Sequence, residues 1–144
     1  MKKRHLIITQ ADHQRLVELS RGARMDPRIR AESLDALDTE LWRAHRVLPG
    51  NVPADVVTMN SIVRIRDLDS GEAEDYELVF PADADIARNR ISILAPIGTA
   101  ILGYRVGDVI HWPVPAGTCR LLIENILYQP ERAEPASEMA GAGA

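Results

Sequence analysis

The densest set of side chains able to do chemistry lies between residues 21 and 30. Arg21, Arg24, Arg28 and Arg30 surround one acid, Asp26. A divalent cation needs clustered oxygen ligands, and one carboxylate among four guanidiniums is the wrong field for it. Two readings of this cluster stay open. One is a solvated turn in which Asp26 caps the following helix; the other is a basic tip that touches an acidic surface. Elsewhere the reactive residue types are scattered. His5, His13, His45 and His111 form no metal-ligand spacing with one another or with Cys119. Cys119 sits at the edge of an apolar strand, with nothing nearby in sequence to lower its pKa, and reads as a small packing residue. Ser61 and Ser92 lack an elbow motif and a partnered base. Asp83 and Asp85 read as a solvated acidic loop rather than as paired catalytic carboxylates. Gly98, Gly103 and Gly107 lack the arrangement that cradles phosphates. The expectation is a protein that is not an enzyme, with no catalytic residues, no cofactor and no metal.

The bulk properties agree with a binding role. With 144 residues and 46% hydrophobic content, the chain can build a core. Two Trp, three Tyr and one Phe leave that core to aliphatic side chains. A single cysteine makes no internal disulfide, as in a reducing compartment. The basic start Met1–His5 is followed by only three apolar residues, too few for a signal peptide, and no run approaches a membrane span. A cytoplasmic location is expected. Residues 1–50 carry 10 Lys/Arg against 7 Asp/Glu, whereas residues 51–144 carry 7 against 14. The halves therefore face different partner surfaces. The acidic half argues against non-specific binding to phosphates.

The elements that must position these residues follow from periodicity. Thr9 caps a first helix with Leu16, Leu19 and Ala23 on one side, and Gly22 ends it. Asp26-Pro27 starts a second helix. Leu34, Leu37, Leu41, Ala44 and Leu48 then step by three and four, a coiled-coil seam that Pro49-Gly50 stops. Two such helices pair antiparallel as a hairpin. The second has roughly 20 residues and a reach of about 30 Å. From Val56 the period becomes two. Strands are expected at Val56–Met59, Ser61–Leu68, Tyr76–Phe80, Ile91–Leu94, Val109–Trp112 and Leu121–Tyr128. Asp69-Ser70-Gly71 is a hairpin turn, Pro81–Asp85 a loop with one helical turn, and Ile97–Leu102 a short helix ended by Gly103. Pro113–Gly117 separates the last two strands. The fold class is α+β: a helical hairpin over 1–50, an antiparallel β domain with a short helix over 51–130, and a disordered tail over 131–144.

Particular runs carry a family resemblance. They are Tyr76–Asp85, Ile91–Gly98, Ala100–Gly103, Val106–Val109 and Ile123–Tyr128. In this order they resemble the C-terminal half of the Gre transcript-cleavage factors of bacterial RNA polymerase, an FKBP-like domain. Asp55–Ser61, Arg105–Asp108 with His111-Trp112, Tyr128–Pro130 and the helix pattern Leu34–Ala44 resemble a shorter branch named for regulation of nucleoside diphosphate kinase. In Gre proteins a longer hairpin ends in two acids that hold magnesium in the polymerase active centre. Here the hairpin is short and its tip is basic. The resemblance implies docking near the secondary channel of RNA polymerase core, competition with Gre factors and no stimulation of transcript cleavage. The proline of the Gre Ser-Pro-x-Gly segment lies in the docking surface. It corresponds to Pro96, with Ala95 in place of the serine. Pro96 and Ile97 are thus the expected anchor, and Arg24, Asp26 and Arg28 form the tip that meets the channel wall. Sequence-specific nucleic-acid binding and a membrane partner are not expected. The alternatives are control of nucleoside diphosphate kinase and nucleotide pools, or an FKBP-like peptide-binding module.

Overall fold

The computed structural model describes residues 6–132. His5, the basic start and residues 133–144 of the expected tail lie outside the described residues.

The chain opens with β1 (Ile7–Thr9), α1 (Gln10–Ala23), α2 (Ala31–Trp42) and β2 (His45–Val47). Thr9 caps α1 by accepting the Asp12 N–H at 3.1 Å. The two helices run antiparallel: His13 Nε2 lies 3.0 Å from the Leu41 carbonyl, whereas Ser20, further along α1, and Arg24, just past its end, reach Asp38 and Asp35, earlier on α2. The second helix is shorter than its spacing predicts. It has 12 residues, so it reaches about 18 Å. Its expected start at Asp26-Pro27 is an isolated turn closed by Ile29 N–H on the Asp26 carbonyl, and its expected end is a strand. His45 N–H bonds the Leu6 carbonyl at 2.7 Å, and β2 then lies parallel to β1. This pairing overrides the weak local helical preference of residues 43–48. Leu48, expected on the seam, is 66% exposed. The two helices together form the crossover that a parallel strand pair requires.

The second half is a five-stranded sheet in the order β5-β4-β3-β7-β6. Its strands are β3 (Ile62–Asp67), β4 (Ala73–Val79), β5 (Arg90–Ser92), β6 (Val109–Val114) and β7 (Gly117–Tyr128). The β3–β4 turn falls at 68–72, with Asp67 Oδ1 accepting the Asp69 and Ser70 N–H groups and Gly71 at φ 80°. Alternation on β3 is as expected: Val63 and Ile65 are buried, while Arg64 and Arg66 face the other way and pair with Asp75 and Glu124. Register shifts between β3 and β7 bend the sheet. One pairing departs from the antiparallel expectation. β5 runs parallel to β4, because residues 80–89 turn over the sheet end through two short 3-10 segments before the chain returns. Pro113 and Val114 belong to β6, an edge strand, where proline's missing N–H costs no ladder bond.

The run Val56–Met59 is buried but is not a strand. Its backbone pairs with the turn at 103–106 instead: Val57 N–H to the Tyr104 carbonyl, Gly103 N–H to Val57, and a single bridge from Val56 to Arg105. One apolar core joins both halves. Leu16, Leu37 and Leu41 of the helices meet Met59, Val63, Leu78, Ile101 and Ile123. A fully buried leucine contributes about 1.5–3 kcal/mol by leaving water. Arg15 of α1 also lies 3.9 Å over the Phe80 ring, a further tie from helix to sheet.

Candidate functional site

The Pro96 segment is shaped by its backbone. After β5 the chain turns, with Ser92 Oγ accepting the Leu94 N–H and the Ser92 carbonyl accepting that of Ala95. Then α3 (Pro96–Ile101) begins with proline at its first position, where no N–H is needed. Ala95 stands at the N-cap and has no oxygen with which to cap. Thr99 Oγ1 bonds the Ile93 carbonyl at 2.6 Å and ties the helix back to the turn. Gly98 passes so close to the turn that a Cβ would lie 2.1 Å from the Ser92 carbonyl oxygen. Gly103 ends the element at φ 83°, and a Cβ there would strike Leu6 Cδ1 at 2.6 Å. The Pro-x-Gly break is therefore a packing requirement.

Pro96 and Ile97 serve different surfaces. Pro96 is exposed and lines a groove of about 480 Å³ between α3 and α2, with Ala36 and Glu40 on the helix side and Tyr104 and Trp112 on the sheet side. Ile97 is half-buried and lines a groove of about 350 Å³ on the sheet face, floored by Ile65, Tyr76, Ile91 and Leu121 and rimmed by acids including Glu72 and Glu74. The Tyr76 hydroxyl donates to Glu74, and this bond pushes the phenol pKa up to about 12. One side of α2 forms a wall of the Pro96 groove.

The tip at 24–30 is less basic in space than in sequence. Arg24 Nη2 bonds Asp35 at 2.7 Å and Asp38 at 2.6 Å, and Ser20 Oγ also donates to Asp38. Arg28 grips Asp26 with its backbone N–H and both arms of its guanidinium, at 2.9, 3.0 and 2.9 Å. These bonds lower the Asp26 pKa to about 2. Arg30 pairs with Glu32 at 3.0 Å. Asp26 does not cap α2; Arg30 stands at that position without a side-chain cap. The acids that neutralise Arg24 and Arg30 come from α2, so proximity in sequence to Asp26 alone missed them.

Residues 52–128 match the family described as "Transcription elongation factor, GreA/GreB, C-term". The chain belongs to this family. It is 47% identical over 100 residues to "Regulator of nucleoside diphosphate kinase" of Escherichia coli K12, covering 69% of this chain and 74% of that one. It is 39% identical over 90 residues to "Transcription elongation factor GreA" of Clostridium novyi, covering 62% and 57%. Among solved structures, a "Prokaryotic transcription elongation factor GreA/GreB from Nitrosomonas europaea" superimposes with a TM-score of 0.75 at 40% identity, covering 85% of this chain and 99% of that chain. The names of these relatives are those of regulators and transcription factors, not of enzymes. No helix among the described residues is long and apolar enough to cross a membrane.

Within this GreA/GreB-type chain, three motifs read separately in sequence form one clasp. Gln129 donates to the carbonyls of Pro53 and Val56 at 2.9 and 2.8 Å. Glu131, 5% exposed, accepts the Thr58 hydroxyl at 2.7 Å, and Ser61 Oγ lies 2.9 Å from the same Thr58 oxygen. Arg105 reaches Asp55 at 3.0 Å, and Asp108 holds the Arg105 N–H. Thus hydrogen bonds from Gln129, within Tyr128–Pro130, and from Arg105, within Arg105–Asp108, hold the Asp55–Ser61 segment. Residues 131 and 132 also belong to this packed end, since Arg132 bonds the Val52 carbonyl. Elsewhere, Asp67, Asp69 and Cys119 come together near the β3–β4 turn. Their donors are committed to the turn and to Arg120, and burial together with Asp67 holds the thiol pKa above its usual value.

Proposed function

We propose that this protein is a non-catalytic transcription regulator that binds RNA polymerase core near its secondary channel. On this reading it competes with Gre factors and does not stimulate transcript cleavage. Membership of the GreA/GreB family carries the polymerase reading, because the matched residues include the whole Pro96 segment. The tip carries the second part. Each of its carboxylates is engaged: Asp26 by Arg28, Asp35 and Asp38 by Arg24. Such paired acids are poor ligands for magnesium. The shortness of α2 further limits how far this tip can reach. The proposal divides the chain into an FKBP-like docking half from 51 to 130, anchored through Pro96 and Ile97, and a short coiled-coil half from 1 to 50, whose Arg24, Asp26 and Arg28 face the channel wall. It places the protein in the cytoplasm.

Cleavage assays on backtracked polymerase complexes test the distinction. Addition of the protein is expected to leave the cleavage rate unchanged and to slow cleavage by a Gre factor. Magnesium-dependent cleavage that disappears in Asp26→Ala would reverse the assignment. The name of the Escherichia coli relative supports a second reading, control of nucleoside diphosphate kinase. Kinase turnover measured with and without the purified protein separates direct control from an effect through transcription.

A further inference from the structure

The side of the helical half away from Pro96 has a different character. Trp42, the last residue of α2, is 89% exposed. It lines a groove of about 480 Å³ with Val17, Leu41 and Ala44. A second groove of about 380 Å³ adjoins it and shares His13, Val17 and Arg46. Neither shares a residue with the groove at Pro96.

Charge gives this apolar surface a direction. Arg64, Arg66, Arg90, Arg105 and Arg120 of the sheet half each face a carboxylate, as do Arg24, Arg28 and Arg30 at the tip. Among the described residues, Arg21 and Arg46 make no ion pair, and both line the second groove. Arg43, exposed and next to Trp42, makes none either. The acids nearby are Asp38, already held by Ser20 and Arg24, and Glu18, which lines the second groove. Exposed tryptophan and arginine are the residue types that most often dominate binding at protein interfaces.

We infer that the Trp42–Arg46 face, with Arg21, docks an acidic, amphipathic protein segment: apolar side chains of the partner cover Trp42, Val17 and Ala44, and its carboxylates meet Arg21 and Arg46. The apolar floor of Val17, Leu41, Trp42 and Ala44 favours such a segment over a phosphate backbone. This inference does not rest on the polymerase reading, because it uses the opposite side of α2.

The test is fluorescence anisotropy of the full chain with a labelled peptide that alternates pairs of Glu and Leu. Its Gln-for-Glu counterpart and a single-stranded RNA oligonucleotide are titrated in parallel. The acidic peptide is expected to bind and to shift Trp42 emission to the blue in a Trp112→Phe background. Trp42→Ala and Arg46→Glu should each weaken binding by at least about tenfold. Arg120→Ala, in the sheet half, should leave it unchanged, and thermal melts should show all variants folded. No binding of the acidic peptide, equal binding of the Gln peptide or tighter binding of RNA would each overturn the inference. So would affinity that survives Trp42→Ala. Self-association abolished by Trp42→Ala would assign the face to a second copy of this chain instead.

Discussion

The Pro96 segment and the arginine tip at 24–30 are held in place by opposite means. Around Pro96 the backbone itself is constrained: Gly98 has no room for a Cβ, Gly103 needs a positive φ, and Thr99 and Ser92 tie the turn to α3. At the tip the constraint is electrostatic and wet. The Arg24, Arg28 and Arg30 side chains are 39%, 88% and 80% exposed, and their partners are also solvated. A surface built on a fixed backbone keeps its shape under changes of pH and salt. A tip closed by exposed ion pairs loosens as salt rises.

This contrast can be broken at graded cost. Gly98→Ala should have the largest effect, a loss of more than about 4 kcal/mol or failure to fold, because the Ser92 carbonyl must move. Urea denaturation measures it, and a loss of less than about 1 kcal/mol would mean the segment is not rigid. Leu37→Ala, which opens the core shared by helices and sheet, should cost about 2–5 kcal/mol by the same measurement. Gly22→Ala should act in the other direction. It lies within α1 with nothing within 4 Å of an added Cβ, so it should gain about 0.5–1 kcal/mol. Arg24→Ala should shift the melting temperature less than Leu37→Ala does, and the shift should shrink further in high salt.

The smallest effect concerns pH. Asp26 titrates at about 2 in the folded chain, below its ordinary value of 3.8. Its bonds to Arg28 therefore contribute fully above pH 3.8 and are lost as pH falls through 2. An NMR titration of the Asp26 carboxyl should show that midpoint. A midpoint near 3.8 would mean the tip is open in solution.

The same contrast explains what was legible in the sequence. Pro96, Gly98 and Gly103 announce α3 and its turns because each residue type answers a backbone demand. Asp69-Ser70-Gly71 announces the β3–β4 hairpin for the same reason. The helical half was harder. Leu34, Leu37 and Leu41 do form a buried seam, but Ala44 and Leu48 continue its spacing only by coincidence, since β2 is recruited by β1 thirty-eight residues earlier in register. Val56–Met59 has strand composition and a buried place without a strand's partner. Nor did local spacing indicate that Asp35 and Asp38 would neutralise Arg24, because that pairing requires the fold of one helix on another. The clasp of Gln129 and Glu131 on residues 53–58 was hidden for the same reason.

The central claim is a polymerase-docking surface centred on Pro96, and competition binding tests it most directly. Labelled protein is titrated with RNA polymerase core in the presence and absence of an unlabelled Gre factor. The account predicts saturable binding that the Gre factor displaces and that Pro96→Ala weakens by at least about tenfold while the variant stays folded. Absence of binding, binding indifferent to the Gre factor, or full affinity in Pro96→Ala would contradict it.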